Sequence, residues 1–424
     1  MSHSKKHLNE TEILKILKKS EPSKIVTVTD WTLIEKEDQL LGFLGNYYSL
    51  KIEALIDDRQ KTKYFFVKTL PENVEDGDIL EGVNLFHKES IIYSKIFEIM
   101  PASSKKWTPS CFYTRSDILV LEDLSQENYQ IMPKNAHFSK IHIQLVLKSL
   151  ATLHANSFYL EKCILRSPID AIHGDLLSEV SVTKSNGWFH VGLNAIKTVA
   201  ITRTKFSHNP DMIKLIEANF TSKITDQVIE ICNNYSVKFR KVLCHRDIWR
   251  NNIMFKFNRK VDGEIDFNSP TSAALIDYQI ARYMPPGADV MMTLFLLQRI
   301  KDREIDYQEN IKYYYYCLNE SLKNLNLKID DFLSYEEFLE TCEYFKLLVA
   351  VLKCVFIPMS HLPDGEIEKL YANKEIYHKF IMEDRGEISI KFIDTNEFFR
   401  NWMIESVEEL IEMTFDQRFF VQSK

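Results

Sequence analysis

Apolar residues recur along this chain with two periods, and the change from one to the other divides it. Residues 7–19 carry Leu8, Ile13, Ile16 and Leu17 at near-helical spacing, which predicts an opening helix. Three stretches rich in β-branched and aromatic residues follow, at 25–30, 47–56 and 63–69, and read as strands. Gly42 and Gly45 lie in the first connection, Asp57 and Asp58 in the second. A helix is predicted over about 81–99, with Leu85, Glu89, Ile92 and Ile96 along one side. Short strands at 111–114 and 118–121 complete a small sheet with one inserted helix, ending near Asp123. Helical spacing then takes over. Residues 142–158 place Leu145, Val146, Ser149, Leu150 and Leu153 on one face, and 190–236 read as helices broken at Pro210-Asp211. A strand island interrupts at about 242–281, and 288–415 is again helical. No internal repeat or low-complexity tract is visible.

Composition narrows the classes. With 424 residues, 45% of them hydrophobic and 12% aromatic, the chain can bury a large core. A formal net charge of -7 argues against a general nucleic-acid binder, which needs a basic surface. Any phosphate must be met locally, by a few lysines, backbone amides or a metal. The seven cysteines are scattered, odd in number and without a C-x-x-C pair, which suits thiols in a reducing compartment rather than disulfides or zinc. No apolar stretch follows Lys5 and Lys6, as a signal peptide would require. The longest apolar run, 345–359, is interrupted by Lys346 and Lys353 and is too short to span a bilayer. A cytoplasmic protein is expected, of a size that leaves its oligomeric state open.

Chemistry concentrates in one segment. His245, Asp247 and Asn252 form H-x-D-x-x-x-x-N, followed at once by an alternating run through Ile253, Phe255 and Phe257. A polar turn, 259–270, leads to a second run, 273–276, that ends in Asp277. A hairpin would bring Asn252 and Asp277 together, with Asp247 on the loop before it. Phosphoryl transfer uses such a triad: one carboxylate orients the acceptor hydroxyl and takes its proton, while a second carboxylate and an amide oxygen hold Mg²⁺ on the nucleotide phosphates. Asp247 is the candidate for the first role, Asn252 and Asp277 for the second. The alternative is a loop and hairpin whose polar residues cap turns. A second H-G-D sequence, His173-Gly174-Asp175, is rejected because Val180 stands where the asparagine would be and no apolar hairpin follows.

These segments carry a resemblance. The stretch from Leu243 through His245 and Asp247 to Phe255, the run Ile276-Asp277-Tyr278-Gln279-Ile280-Ala281-Arg282-Tyr283, Leu119–Leu124 and Leu150–Ala155 resemble the insect ecdysteroid kinase-like family. That family lies within the choline kinase and aminoglycoside phosphotransferase branch of the protein-kinase-like fold. The resemblance spans roughly Leu41 to Ile357. It implies an α+β, two-lobed protein-kinase-like fold, with a small β-rich N-lobe (residues 1–123) and a large, mainly helical C-lobe (124–424). It also implies an ATP-dependent kinase, with Mg²⁺, acting on a small-molecule alcohol. A steroid alcohol such as an ecdysteroid is the expected acceptor. Another small alcohol of the choline or aminoglycoside kind, and a non-catalytic ligand-binding pseudokinase, stand as alternatives; the presence of Lys68, Asp247, Asn252 and Asp277 weighs against the last.

The resemblance gives roles to the front end. Lys68, closing the apolar strand Phe65-Phe66-Val67, is expected to pair the α- and β-phosphates, with Glu89 on the next helix holding it in place. Gly42, Gly45 and Asn46 occupy the phosphate-covering loop, and Glu122 to Leu124 the hinge that meets adenine. His245 is expected to brace the catalytic loop. Asp289, after Pro285-Pro286-Gly287-Ala288, is expected either to cap the following helix or to brace that loop. Two departures stand out: Arg246 where many members have glycine, and Tyr278 for the commoner phenylalanine. Only eleven residues separate Asp277 from Asp289, too few for a phosphorylated activation loop. The aromatic back end (Tyr313 to Tyr316, Phe332, Tyr335, Tyr344, Phe345) is expected to form core, or to wall a mostly apolar acceptor pocket.

Overall fold

A computed structural model of the chain describes residues 7–36, 45–70, 76–101 and 106–415. The chain divides into two compact units. The first comprises residues 1–132, 159–166 and 250–281, and the second 133–158, 167–249 and 282–424.

The first unit opens with helix α1 (Glu10–Ser20), whose start is set by a capping box: Asn9 accepts from the Glu12 N–H, and the Glu12 carboxylate accepts from the Asn9 N–H. Five antiparallel strands follow: β1 (Val26–Glu35), β2 (Asn46–Ile56), β3 (Arg59–Thr69), β4 (Cys111–Arg115) and β5 (Ile118–Glu122). Their order in the sheet is β1-β2-β3-β5-β4. The β2–β3 turn is Asp57-Asp58, both at positive φ (49° and 60°), the backbone of a two-residue hairpin that twists with its strands. Alternation decides which way each side chain points. Leu50 and Ile52 of β2, Phe65 and Val67 of β3, and Ile118 and Val120 of β5 form one core with Ile13, Ile16 and Leu17 of α1. Lys68, next to Val67 on the central strand, therefore belongs to the opposite face.

Helix α2 (Asp76–Ile91) is not one continuous α-helix to residue 99, as its periodicity predicts; it passes through a π turn (Ile92–Ile96) and a 3₁₀ turn (Phe97–Ile99). The same unit contains a second, three-stranded sheet of β6 (Tyr129–Ile131), β8 (Ile253–Arg259) and β9 (Ile265–Leu275). Strand β6 is absent from the sequence reading. At three residues it has no periodicity to detect, and pairing with β8 creates it. The polar turn predicted over 259–270 is shorter than expected, because the polar residues from Ile265 onward already pair as β9.

In the second unit helix α3 (Lys140–Tyr159) is followed by α4 (Asp170–Leu177), α5 (Gly187–Arg203) and α6 (Pro210–Lys238). The short strands β7 (Val242–Cys244) and β10 (Arg282–Met284) pair with each other. Helices α7 (Gly287–Leu297), α8 (Ile300–Asn324), α9 (Tyr335–Ser360), α10 (Glu366–Ala372), α11 (Lys374–Met382), α12 (Gly386–Thr395) and α13 (Glu397–Thr414) complete it. Helix α7 is buried on every residue, which its apolar composition requires. Of the aromatic back end, Tyr314, Phe332 and Phe345 are buried in the core, Tyr313, Tyr315, Tyr335 and Tyr344 are half-buried, and Tyr316 is exposed. All seven cysteines are free thiols, and among the described residues no helix is long and apolar enough to cross a membrane.

One buried charge stands out. Lys353 of α9 is 1% exposed, its Nζ has no hydrogen-bond partner, and it lies 5.2 Å from the Trp402 ring centroid. Burial first, then Arg303, pull its pKa down to about 8 against the weaker opposition of Glu409 and Glu405. The unfolded chain then binds more protons than the folded one between pH 8 and about 10.5, so stability rises with pH across that window. Lys353→Met is expected to stabilise the protein by about 1–3 kcal/mol at pH 7, with the gain shrinking toward pH 10. Denaturant unfolding of both proteins at the two pH values checks this; a gain independent of pH would contradict it.

Candidate functional site

The first unit assembles a charged cluster from three separate elements. Lys68 Nζ lies 2.7 Å from Glu89 Oε2 and 3.2 Å from Asp277 Oδ1. Strand β3 supplies the lysine, α2 the glutamate, and the segment after β9 the aspartate. Lys68 and Glu89 are 4% and 1% exposed, so the pairs are shielded from solvent and salt. Burial opposes the lysine's charge, but Asp277 and Glu89 outweigh it and raise its pKa above the ordinary value. Burial pushes the Glu89 carboxyl up against the pull of Lys68 and of the Tyr278 backbone N–H, which it accepts.

Asp277 sits at φ 67°, in the left-handed region that few non-glycine residues adopt. Aspartate tolerates it better than most, and such outliers cluster at functional sites. The next residue fixes the turn: the Tyr278 ring is fully buried and meets Phe97 edge-on at 4.8 Å and Tyr93 at 5.7 Å. Its phenol thus replaces a phenylalanine without losing the packing. Asn252 is 2% exposed and lies beside this turn, because the Ile276 N–H donates to its carbonyl at 3.0 Å and Ile253 pairs with Leu275. The hairpin therefore brings Asn252 and Asp277 to the same end, one residue apart in register. Their amide and carboxylate oxygens are hard donors of the kind Mg²⁺ takes, so the side chains present fit that ion.

Other expected site residues fall at the edges of this cluster. Gly45 precedes β2, and a Cβ built on it would stand 3.1 Å from the Thr69 carbonyl oxygen and 3.2 Å from Lys68 Cγ. A glycine here lets the backbone pass close over the lysine. Asn46 pairs with Thr69, and Tyr47 with Lys68. Gly42 lies outside the described residues. Glu122 ends β5 opposite Phe65; its carboxylate accepts from the Ser110 N–H at 3.1 Å and pairs with Lys106. Leu124 is buried in the 3₁₀ turn that follows, which Asp123 caps through the Ser125 N–H.

The second unit holds the loop that carries Asp247. His245, Arg246 and Asp247 are all buried, and the loop is gripped by Asp289. The Asp289 carboxylate accepts from the backbone N–H groups of His245 (2.6 Å) and Arg246 (2.8 Å). Its other neighbour is His154 Nε2 at 3.2 Å, and His154 Nδ1 in turn meets the Tyr314 hydroxyl at 2.6 Å. Burial alone would raise the Asp289 pKa; the hydrogen bond and charge of His154, and the loop amides, lower it. Pro286 occupies the cap position of α7, so Asp289 is not its cap. It is a first-turn residue aimed at the loop. Arg246 adopts φ 71°. The Asp247 N–H reaches His245 Nδ1 at 3.3 Å, and its carbonyl accepts from Trp249. His154, Cys244 and Asp289 lie close enough to suggest a metal cluster, but their donor atoms are engaged in hydrogen bonds. Burial and the neighbouring Asp289 also push the Cys244 thiol up, away from the thiolate a metal needs. The rejected His173-Gly174-Asp175 falls within α4.

Sequence reasoning gave no role to His154 or Glu179. His154 sits within a segment quoted for its resemblance, but its partners come from α7 and α8, far along the chain. Glu179 belongs to no motif, and only the fold brings it to Arg246, at 3.3 Å.

Strand β3 thus supplies a lysine paired to a helix glutamate, the β8–β9 hairpin ends in asparagine and aspartate, and a His-x-Asp loop is braced from α7. The chain belongs to the ecdysteroid kinase-like family, whose model matches residues 42–327. Solved structures similar to it include an ethanolamine kinase from Plasmodium vivax (13% identity, TM-score 0.40, covering 86% of this chain and 82% of that one). A choline kinase from Cryptosporidium parvum shares 14% identity (TM-score 0.41, 93% and 99% covered), and an apo macrolide 2'-phosphotransferase from Brachybacterium faecium 10% (TM-score 0.38, 84% and 95%). No curated protein sequence matches the chain.

Removing Lys68 would leave two carboxylates without their cation. Lys68→Met is expected to destabilise the protein by about 3–5 kcal/mol. The double variant Lys68→Met/Glu89→Leu should lose less than the sum of the single changes, because the groups are coupled. A denaturation cycle over the four proteins checks this, and strict additivity would contradict the pairing.

Proposed function

We propose that the protein is an ATP-dependent kinase that transfers the γ-phosphoryl group to a hydroxyl of a small, uncharged alcohol of the steroid class, such as an ecdysteroid. The observation that carries the reading is the buried contact of Lys68 with both Glu89 and Asp277, with Asn252 beside Asp277 in the hairpin. A stable charge cluster of this kind costs desolvation, and its retention is explained if it serves a charged ligand.

In this mechanism Lys68 binds the α- and β-phosphates, held in place by Glu89, and the backbone of Gly45 and Asn46 covers them. The Glu122–Leu124 segment meets adenine through main-chain atoms. Asn252 and Asp277 would hold Mg²⁺, which neutralises charge on the phosphates when bound. The acceptor oxygen forms a bond to the γ-phosphorus as the bond from that phosphorus to the bridging oxygen of ADP breaks. Asp247 orients the hydroxyl and accepts its proton; as an ordinary carboxylate it is a weak base, so orientation is the larger part of its work.

The case for an uncharged acceptor rests on the family, whose description names ecdysteroids.

Purified protein with Mg-ATP is tested against ecdysteroids, other steroid alcohols, choline and aminoglycosides, with Asp247→Asn as control. Phosphorylated steroid is expected from the parent, with turnover reduced roughly 10²–10⁴-fold in the variant. Phosphocholine or a phosphorylated aminoglycoside as the sole product would replace the acceptor class. ATP binding without any product would turn the reading toward a pseudokinase.

A further inference from the structure

Glu179 lies two residues beyond α4, and its carboxylate performs two tasks. Oε1 accepts from the N–H groups of Ser181 (2.7 Å) and Val182 (3.2 Å), closing a local turn. Oε2 faces two guanidinium groups, Arg246 Nη2 at 3.3 Å and Arg282 Nε at 3.7 Å. Both arginines are almost completely buried, and Glu179 is the only carboxylate among the described residues within ion-pair distance of the Arg246 guanidinium. The remaining contacts of that guanidinium are weak: Nη1 reaches the Met292 sulfur at 4.0 Å, and Nε is buried without a hydrogen-bond partner. The titratable neighbours on α6 are Cys232 and Tyr235, both pushed up by burial and kept neutral, so they bring no second negative charge.

Arg246 also has an unfavourable backbone, in the left-handed region. At φ 71° an arginine is strained, while glycine would adopt the same turn freely and bring no charge into the interior. The turn immediately precedes Asp247. Asp289 holds its amides, but the guanidinium at the end of the Arg246 side chain needs a separate anchor.

We infer that Glu179 is a positioning residue for the catalytic loop: its carboxylate neutralises Arg246 and so holds the left-handed turn that sets the backbone entering Asp247. The inference takes the role of Asp247 from the kinase reading above. Burial opposes the Glu179 charge, yet Arg246, Arg282 and the two turn amides outweigh it and hold its pKa at about 2, so the carboxylate stays ionised at neutral pH. The consequence is conditional. Glu179 is needed because an arginine stands at the turn, and the need should disappear when a glycine stands there.

The test measures kcat, KM for ATP and the unfolding midpoint for the parent, Glu179→Gln, Arg246→Gly and the double variant, with the acceptor the parent phosphorylates best. Glu179→Gln is expected to lower kcat about ten- to hundredfold with KM for ATP within about twofold, since the nucleotide contacts are untouched. In the Arg246→Gly background the same substitution should lower kcat less than about threefold. Equal losses in both backgrounds, or a loss that only follows the fraction unfolded at assay temperature, would overturn the clamp. A parent without turnover on any acceptor overturns the kinase reading and the positioning role with it. A parent that turns over while the losses simply add overturns the clamp alone.

Discussion

The buried ammonium of Lys68 is the point on which the smaller unit depends. A lysine 4% exposed in a sheet is costly unless carboxylates meet it, and two do, from elements far apart in the chain. That requirement orders much of the surrounding structure. The sheet must place Lys68 on the face opposite the α1 core, α2 must deliver Glu89, and the hairpin must end where Asp277 can turn inward. The left-handed backbone at Asp277 and the edge-on seating of Tyr278 against Tyr93 and Phe97 follow from the same demand, because the aspartate reaches the lysine only if the next residue is carried the other way.

Carboxylates acting on backbone amides do the corresponding work in the helical unit. Asp289 gathers two successive amides of the loop that carries Asp247, and is itself held by His154 and, through it, Tyr314. Glu179 closes its own turn and takes the side chain of Arg246. In both places a fully paired polar group fixes one conformation of a loop that apolar packing alone would leave loosely specified. The two carboxylates act on consecutive residues, His245 and Arg246, immediately before Asp247.

The strands and helices were largely legible, because one-sided burial imposes periods of 2 and 3.6 on long elements. What escaped was short or irregular. Strand β6 exists only through its pairing with β8, and the π turn at Ile92–Ile96 breaks a helix whose apolar spacing continues through it. Asn252 and Asp277 could be picked out from residue type and order, and the hairpin explains why: its two ends are neighbours whenever the strands pair in register. Lys68 and Glu89 were singled out only through the family resemblance. Asp289 could be singled out but its role left open between a cap and a brace, since both use the same side chain and only direction separates them.

By itself the sequence determined the order of the longer elements, the residue types standing at the ends of the hairpin, and the membership of the family. These are properties of neighbours and spacing, which a linear chain carries. Tertiary structure alone decided which charges meet: Lys68 with both Glu89 and Asp277, Asp289 with His154 and the loop amides, Glu179 with Arg246 and Arg282. The reason is that an ion pair in the interior depends on distances of about 3–4 Å between side chains remote in sequence, and no local pattern encodes such a distance.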